Sequence, residues 1–271
     1  MPHSIPTLCG SLAGQPFTFN VKVHNAAYRV LGVDYTFVSF GVEDIAGAVN
    51  AMRTLGIRGL NVTMPHKQAV IPYLDALDET ARAIGAVNTI DNRDGRLTGY
   101  NTDCVGAVRA LEEATPLDGR RIALLGAGGA ARAIAWGMQR AGARASVFNR
   151  TESRGQALAD DFGLAFGGDL GAFDPAAFDG VVNATTAGFR APDVNPLRAQ
   201  QLAPHLFVMD AAFIPVRTKL IRDAAALGCR VVDGTRMLLH QFCGQVELYT
   251  GKAAPLDAMS TALLDEIARV G

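Results

Sequence analysis

A glycine-rich turn, set between an apolar run and an amphipathic segment, limits what this 271-residue chain can fold into. Ile122 to Leu125 is a short apolar run, as expected for a strand buried on both faces of a parallel sheet. Gly126, Ala127, Gly128, Gly129 and Ala130 follow at once, where a tight turn must let backbone N–H groups approach a pyrophosphate. Ala131 is small enough for close packing of helix on strand. Ile134, Trp136, Met138 and Ala141 then mark a helix that stops near Gly142, and Ser146 to Phe148 is a second strand. A glycine pattern of this kind is weak alone. Between two strands and opening a helix, it points to a dinucleotide-binding unit.

The end of the second strand narrows the cofactor. An NAD site usually places Asp or Glu about 20 residues beyond the glycines, to accept hydrogen bonds from the ribose 2′-OH. Here Asn149, Arg150 and Thr151 stand there, with Arg154 one turn on. A carboxylate would repel a 2′-phosphate, whereas two guanidiniums and a hydroxyl would hold it through charge-assisted hydrogen bonds. The expected cofactor is NADP.

Composition excludes several other classes. At 49% hydrophobic and 19% charged residues the chain has the make-up of a globular enzyme with sizeable cores. A formal charge of −1 gives no reason to expect nucleic acid or an anionic membrane as partner. No apolar run approaches a membrane span, and Met-Pro-His-Ser-Ile-Pro lacks a basic segment followed by an apolar core, so the expected location is cytoplasmic. Cys9, Cys104, Cys229 and Cys243 are scattered, and no His pairs with another at metal-ligand spacing. Buried thiols and no metal are expected.

Before the glycine turn, strands at Thr7 to Leu12, Tyr35 to Phe40 and Leu60 to Thr63 alternate with helices at Val23 to Leu31 and Val42 to Leu55, and Gly14 to Asn20 reads as a loop. This alternation predicts a parallel α/β sheet. Pro72 to Ile84 reads as a helix, with Leu74, Leu77, Ala81 and Ile84 on one face. Asp94-Gly95 reads as a hairpin turn between two β-prone runs. Asp103 stands just before a helix predicted over Val105 to Leu111, where capping is its ordinary role. After the turn, a helix at Ala157 to Phe162, strands at Gly180 to Thr185, Phe207 to Asp210 and Arg230 to Val232, and a helix at Leu220 to Leu227 complete a second α/β unit. Amphipathic helices at Met237 to Tyr249 and Ala258 to Val270 have no strand of their own and are expected to pack back on the first domain. The predicted organisation is an α/β protein of two domains. Residues 1–103, joined by 237–271, form a substrate domain, and 104–236 form a Rossmann-type NADP-binding domain, with a cleft between them.

Several motifs in register carry a family resemblance. Asn61-Val62-Thr63-Met64-Pro65-His66-Lys67, Gly85-Ala86-Val87-Asn88-Thr89 and Asn101-Thr102-Asp103 resemble the substrate-domain motifs of shikimate dehydrogenases. The glycine turn, Asn149-Arg150-Thr151 and Asn183-Ala184-Thr185-Thr186-Ala187-Gly188 are similar to that family's NADP-domain motifs, in the same order. The resemblance covers nearly the whole chain. It implies reversible hydride transfer between NADP and a ring carbonyl or hydroxyl of shikimate or a related hydroxy acid, in the shikimate pathway of aromatic amino-acid biosynthesis. It implies Lys67 as the acid/base at the reacting oxygen and Asp103 as its partner. Thr63, Asn88 and Gln241, with Asp103, would hold substrate hydroxyls, Thr185 would meet the cofactor, and the protein would be a monomer or homodimer.

Departures from the family pattern cluster where the substrate carboxylate would be read. The family's Ser-x-Ser-Pro appears as Thr18-Phe19-Asn20-Val21, keeping one hydroxyl at Thr18 and placing an amide at Asn20. Asp-x-x-Tyr appears as Asp210-Ala211-Ala212-Phe213, which loses a phenol. Gly-x-Gly-Met-Leu appears as Gly234-Thr235-Arg236-Met237-Leu238, and Arg236 is either a new carboxylate contact or a surface residue. A site built to hydrogen-bond a substrate group discriminates strongly when one partner changes. The expected function is therefore a shikimate dehydrogenase-like oxidoreductase of altered or weakened specificity. The alternatives are an authentic shikimate or quinate/shikimate dehydrogenase and a non-catalytic NADPH-binding sensor, against which the retained Lys67 and Asp103 argue.

Overall fold

The computed structural model describes residues 5–16 and 18–270, so Phe17 and the first four residues of the N-terminal reading lie outside the described residues. The chain divides into two compact units. One takes in the chain through Thr102 together with Gln241–Val270, and the other is Asp103–His240.

In the first unit, β1 (Thr7–Ala13), α1 (Phe19–Leu31), β2 (Tyr35–Gly41), α2 (Ile45–Thr54) and β3 (Gly59–Val62) alternate as expected, and β1 lies parallel to both β2 and β3. Helix α1 begins four residues before the expected Val23. Phe19 is buried and extends the apolar stripe of Val23, Ala26 and Ala27 by one turn, which places Asn20 inside the helix rather than in a loop.

A four-residue helix α3 (His66–Ala69) precedes the stretch expected as one helix, Pro72 to Ile84, which is instead the end of a 3₁₀ turn at Ile71–Tyr73, a two-residue strand β4 (Ala76–Leu77) and a short helix α4 (Glu79–Ile84). Two local facts break the helix. The Asp78 carboxylate accepts from Ala81 N at 2.7 Å and starts α4 afresh. Leu74 and Leu77 pack over Gly99, where a Cβ would stand only 2.6 Å from Leu74 Cδ1. Strands β5 (Thr89–Arg93) and β6 (Arg96–Tyr100) form the predicted hairpin, with Asp94 at φ +53° and Gly95 at φ +87°, as a two-residue turn of this hand requires. That reversal makes the six-stranded sheet mixed rather than parallel. Its order is β2-β1-β3-β5-β6-β4, with β5 antiparallel to both neighbours.

Helix α5 (Thr102–Glu112) leads into the second unit. It starts earlier than expected, so Asp103 lies in its first turn and not ahead of it. There β7 (Arg121–Leu125), α6 (Gly129–Arg140), β8 (Arg144–Phe148), α7 (Glu152–Phe162), β9 (Ala165–Gly168), β10 (Gly180–Asn183), β11 (Phe207–Asp210), α8 (Lys219–Ala226) and β12 (Arg230–Val232) build a wholly parallel sheet ordered β12-β11-β10-β7-β8-β9. The order in which the chain lays down its strands reverses between β7 and β10, the place where open α/β sheets bind ligands. Ile122 and Leu124 face one core with Ile134 and Met138, while Ala123 and Leu125 face the other with Val208 and Leu220. Burial on both faces explains why these strands read as unbroken apolar runs.

Helix α9 (Gly234–Thr250) returns the chain to the first unit, and α10 (Leu256–Val270) packs there against α1. Among the described residues no helix is long and apolar enough to cross a membrane, and no cluster of three or more His, Cys, Asp or Glu is placed to hold a metal. All four cysteines are buried thiols outside any disulfide.

Candidate active site

Within the second unit, the carboxyl ends of β7, β8 and β10 surround a cavity of about 470 Å³. Gly126, Ala127, Gly128, Asn149, Arg150, Thr151, Arg154 and Thr185 line it. Gly129 and Ala130, also expected at the cofactor, form the exposed first turn of α6 and carry its first N–H groups. Gly126 has φ +108°, and a Cβ on it would lie 3.1 Å from the Ala184 carbonyl, so glycine is needed for both conformation and space. Gly128 is the N-cap of α6 and offers no side-chain cap, and a Cβ at Gly128 or Gly129 would meet nothing within 4 Å. The N-cap therefore gives the first N–H groups of this 12-residue helix no side-chain acceptor, at the positive end of its dipole.

The charges beside the cavity are equally local. Arg150 and Arg154 are exposed, and among the described residues no carboxylate pairs with either. Asn149 Nδ2 donates to Thr151 O at 2.7 Å and sets the start of α7, leaving the Thr151 side chain free of any capping bond. Arg132, in α6, is held away by Asp161 at 2.6 Å and lies over the Phe162 ring. Thr185 has its hydroxyl engaged, since it donates to Asn183 Oδ1 at 2.7 Å and accepts from Ala187 N at 3.1 Å. Its role in the lining is to shape the turn. Ala184, Thr186 and Ala187, from the expected Asn183–Gly188 motif, add to the wall, and Leu170, Ala191, Val194 and Pro196 complete it and were not expected, because loop residues carry no periodicity to betray them.

In the first unit, β3 ends at Val62 and the chain turns through Thr63 into α3. His66 donates from Nε2 to Val42 O at 2.8 Å, and Val87 N donates to Lys67 O at 2.8 Å, so the turn that carries Lys67 is pinned on both sides. The Lys67 side chain is half-buried. Asn88 is fully buried, and its Oδ1 accepts from Thr89 Oγ1 and Thr102 N, each at 2.8 Å. That second bond fixes the start of α5, one residue ahead of the buried Asp103.

Gln241, expected in the site, is half-buried on α9, and a polar hub lies one helical turn further on. Gln245 is fully buried, accepts from Asn61 Nδ2 at 3.1 Å, and donates to Thr89 Oγ1 at 3.2 Å and Thr102 Oγ1 at 3.4 Å. An i, i+4 pair of glutamines on one helix face was the available signal.

The positions that would read a carboxylate are occupied in other ways. The Thr18 hydroxyl, at the start of α1, donates to Glu266 of α10. Arg269 and then Thr18 hold the Glu266 carboxyl down to about 2. Asn20 is buried, and its Oδ1 accepts from Val21 N at 2.9 Å. In the second unit, the Arg236 guanidinium is paired with Glu113, and His240 Nε2 reaches the same carboxylate at 2.7 Å. Burial pushes the Glu113 carboxyl up, but its hydrogen bonds from Arg236 and His240 more than offset this and hold it low. Phe213 packs its ring against Phe189 at 5.5 Å.

Comparison with known proteins places this geometry. A family model described as the shikimate dehydrogenase substrate binding domain matches residues 16–90. The NADP(+) shikimate dehydrogenase of Pyrococcus abyssi is 40% identical over 262 residues, which is 95% of this chain and 98% of that one. A crystal structure of a shikimate dehydrogenase in complex with NADP+ superposes with a TM-score of 0.91 at 33% identity, covering 97% of this chain and 96% of the other. The ligand-free 5-ketofructose reductase of Gluconobacter sp. strain CHM43 superposes equally well, at TM-score 0.91 and 32% identity, covering 96% of this chain and 99% of the other. With relatives at this identity along almost its whole length, the chain belongs to the shikimate dehydrogenase family.

Proposed function

We propose that this protein is an NADP-dependent oxidoreductase that moves a hydride reversibly between the cofactor and a CH–OH or C=O carbon of a small cyclic hydroxy compound, with the carboxylate end of a shikimate-like substrate read differently from the family pattern. The observation that carries the cofactor reading is the N-terminus of α6, without a side-chain cap, in a cavity lined by the exposed Arg150 and Arg154. The helix end fits a pyrophosphate, and Arg150 and Arg154 fit a 2′-phosphate. The NADP of shikimate dehydrogenase relatives agrees with that donor set.

When bound, NADP supplies the hydride acceptor for alcohol oxidation, and NADPH the donor for carbonyl reduction. The rest falls to the chain's own side chains. Reducing a carbonyl builds negative charge on oxygen, so a proton donor there stabilises the transition state. By family resemblance Lys67 delivers that proton, and receives it in the reverse direction, while Asp103 hydrogen-bonds and orients. Thr63, Asn88 and Gln241 are the proposed contacts to substrate hydroxyls.

The proposal of altered specificity rests on Thr18 and Glu266. A carboxylate already holds the hydroxyl that would meet a substrate carboxylate, and a second anion beside it would be disfavoured. The neighbour named for a keto sugar is in keeping with this. A shikimate dehydrogenase proper is the second reading, favoured by the names of relatives about 40% identical.

Initial rates of NADP reduction with shikimate, quinate and neutral cyclic polyols separate the two, with Lys67→Ala as the control. Slow turnover of shikimate beside faster turnover of a neutral compound supports the altered site. Turnover of shikimate in the ordinary enzyme range, abolished by Lys67→Ala, supports the second reading. Activity unchanged in Lys67→Ala would remove the assigned role of Lys67.

A further inference from the structure

Beneath the cavity of the second unit lies a polar network that touches, among the groups assigned so far, Thr185 and Ala187. Asn183 and Asp210 are the last residues of the neighbouring strands β10 and β11, are in register with one another, and are both fully buried. Asp210 Oδ1 accepts from Asn183 Nδ2 at 2.9 Å and from Ala212 N at 3.0 Å, and Oδ2 accepts from Thr218 Oγ1 at 2.6 Å. Thr218 is the N-cap of α8, and its hydroxyl accepts from Ile221 N at 3.3 Å. Each of the three contacts to Asp210 offers the carboxylate a donor, the arrangement that suits its ionised form. Burial pushes the Asp210 carboxyl up, and the bonds from Thr218, Ala212 and Asn183 pull against that.

The network ends in the turn that walls the cavity. Held by Asp210, Asn183 accepts at Oδ1 from Thr185 N at 3.0 Å and from Thr185 Oγ1 at 2.7 Å, and donates from Nδ2 to Ala187 O at 3.1 Å. Ala184, Thr185, Thr186 and Ala187 all line the cavity. Gly188 closes the turn at φ +90°, where a Cβ would sit 3.6 Å from Asp210 Oδ2 and 3.5 Å from Thr218. In a sheet of this topology each half of the strands serves one mononucleotide, so β7 to β9 face the adenosine half and β10 to β12 the nicotinamide half. Arg150 and Arg154 follow β8, on the adenosine side.

We infer that Asp210 is a positioning residue for the nicotinamide half of the cofactor, acting through Asn183 on the Ala184–Gly188 turn. This rests on the reading of the cavity as a dinucleotide site. A carboxylate is suited to the task because it accepts three bonds from three directions at once. Loss of the side chain leaves Asn183 and Thr218 with unmatched buried donors and frees the turn.

Two ligands separate this role from a general structural one. NADPH spans both halves of the site, whereas 2′,5′-ADP carries the adenosine half alone. Titration of the full-length wild type, Asp210→Ala, Asp210→Asn and Thr218→Val with each ligand gives the test. Asp210→Ala is expected to weaken NADPH about tenfold or more while 2′,5′-ADP stays within about twofold, and Thr218→Val is expected to follow it more mildly. The KM for NADP rises in Asp210→Ala, and the KM for the hydroxy substrate does not. Asp210→Asn keeps the shape and the Oδ1 acceptor, and the Thr218 hydroxyl can turn to accept from the new amide, so most of the NADPH affinity returns. Wild-type NADPH affinity in Asp210→Ala would overturn the inference. So would a parallel loss of both ligands in Asp210→Ala and Thr218→Val, which marks a role in the whole fold. A wild type that binds neither ligand would overturn the dinucleotide reading itself, and this inference with it.

Discussion

Arg236 and Glu113 meet side on, with Nε donating to Oε2 at 2.8 Å and Nη2 donating to Oε1. The fork of the guanidinium is thereby matched to a carboxylate of its own unit, and His240 Nε2 adds a third bond to Oε1. An arginine at this position looks in the sequence like a ready partner for a substrate carboxylate. In the structure its charge is already met.

Arg236→Ala is therefore expected to leave the KM for a carboxylate-bearing substrate within about twofold of wild type. Both side chains are partly exposed, so the cost in stability is on the order of 1 kcal/mol or less. Steady-state kinetics and a thermal melt check this. A large rise in KM with an unchanged melt would show that Arg236 leaves Glu113 to bind substrate.

Arg150 and Arg154 carry the choice of nucleotide. Arg150→Ala with Arg154→Ala is expected to raise the KM for NADP at least tenfold while the KM for NAD hardly moves, since each charge-assisted bond to a phosphate contributes about 1.5–3 kcal/mol. Arg132→Ala serves as the control, because Asp161 holds that guanidinium away. Equal loss of both nucleotides in the double variant would place the 2′-phosphate elsewhere.

What could be read from the sequence, and what could not, follows from the range of the interactions. The glycine turn and the arginines after β8 are legible because backbone freedom and charge type are properties of a few adjacent residues. The parallel strands are legible because Ile122 and Leu124 enter one core and Ala123 and Leu125 another, which leaves no polar alternation. β9 goes unseen, for Ala165-Phe166-Gly167-Gly168 is an edge strand with two glycines. Leu74, Leu77, Ala81 and Ile84 carry helical spacing, yet the bare backbone of Gly99 admits Leu74 and Leu77 to the sheet. The polar hub at Gln245 and the Thr18–Glu266 contact join residues 156 and 248 positions apart, and no local pattern announces such pairs.

The Thr18–Glu266 contact makes its own prediction. Glu266→Gln removes a negative charge while keeping an acceptor for the Thr18 hydroxyl. The ratio of kcat/KM for shikimate to that for a neutral cyclic polyol is expected to rise severalfold, because a repelling carboxylate is gone. A ratio that stays fixed would separate Glu266 from substrate choice and return the departure at Thr18 to a structural role in docking α10 on α1.

His24 sets the pH dependence of stability in the first unit. Its ring is fully buried, stacks on Phe37 at 4.1 Å, and donates from Nδ1 to Asn20 O at 2.8 Å. Burial lowers its pKa from 6.5 to about 4, against the hydrogen bond to Asn20. The unfolded chain therefore binds a proton that the folded chain refuses between those two values, so stability is full above pH 6.5 and falls as pH drops towards 4. At about 1.4 kcal/mol for each pH unit the loss over this window is roughly 3 kcal/mol. Asp210, raised by burial, slopes the other way, but equally in any His24 variant. His24→Phe keeps the stack on Phe37 and removes the titration, at a cost of about 1 kcal/mol for the lost hydrogen bond. Urea unfolding from pH 7 to pH 4 should show a steep fall for wild type and a shallower one for His24→Phe. Parallel curves would mean that His24 is not what makes the fold acid-sensitive.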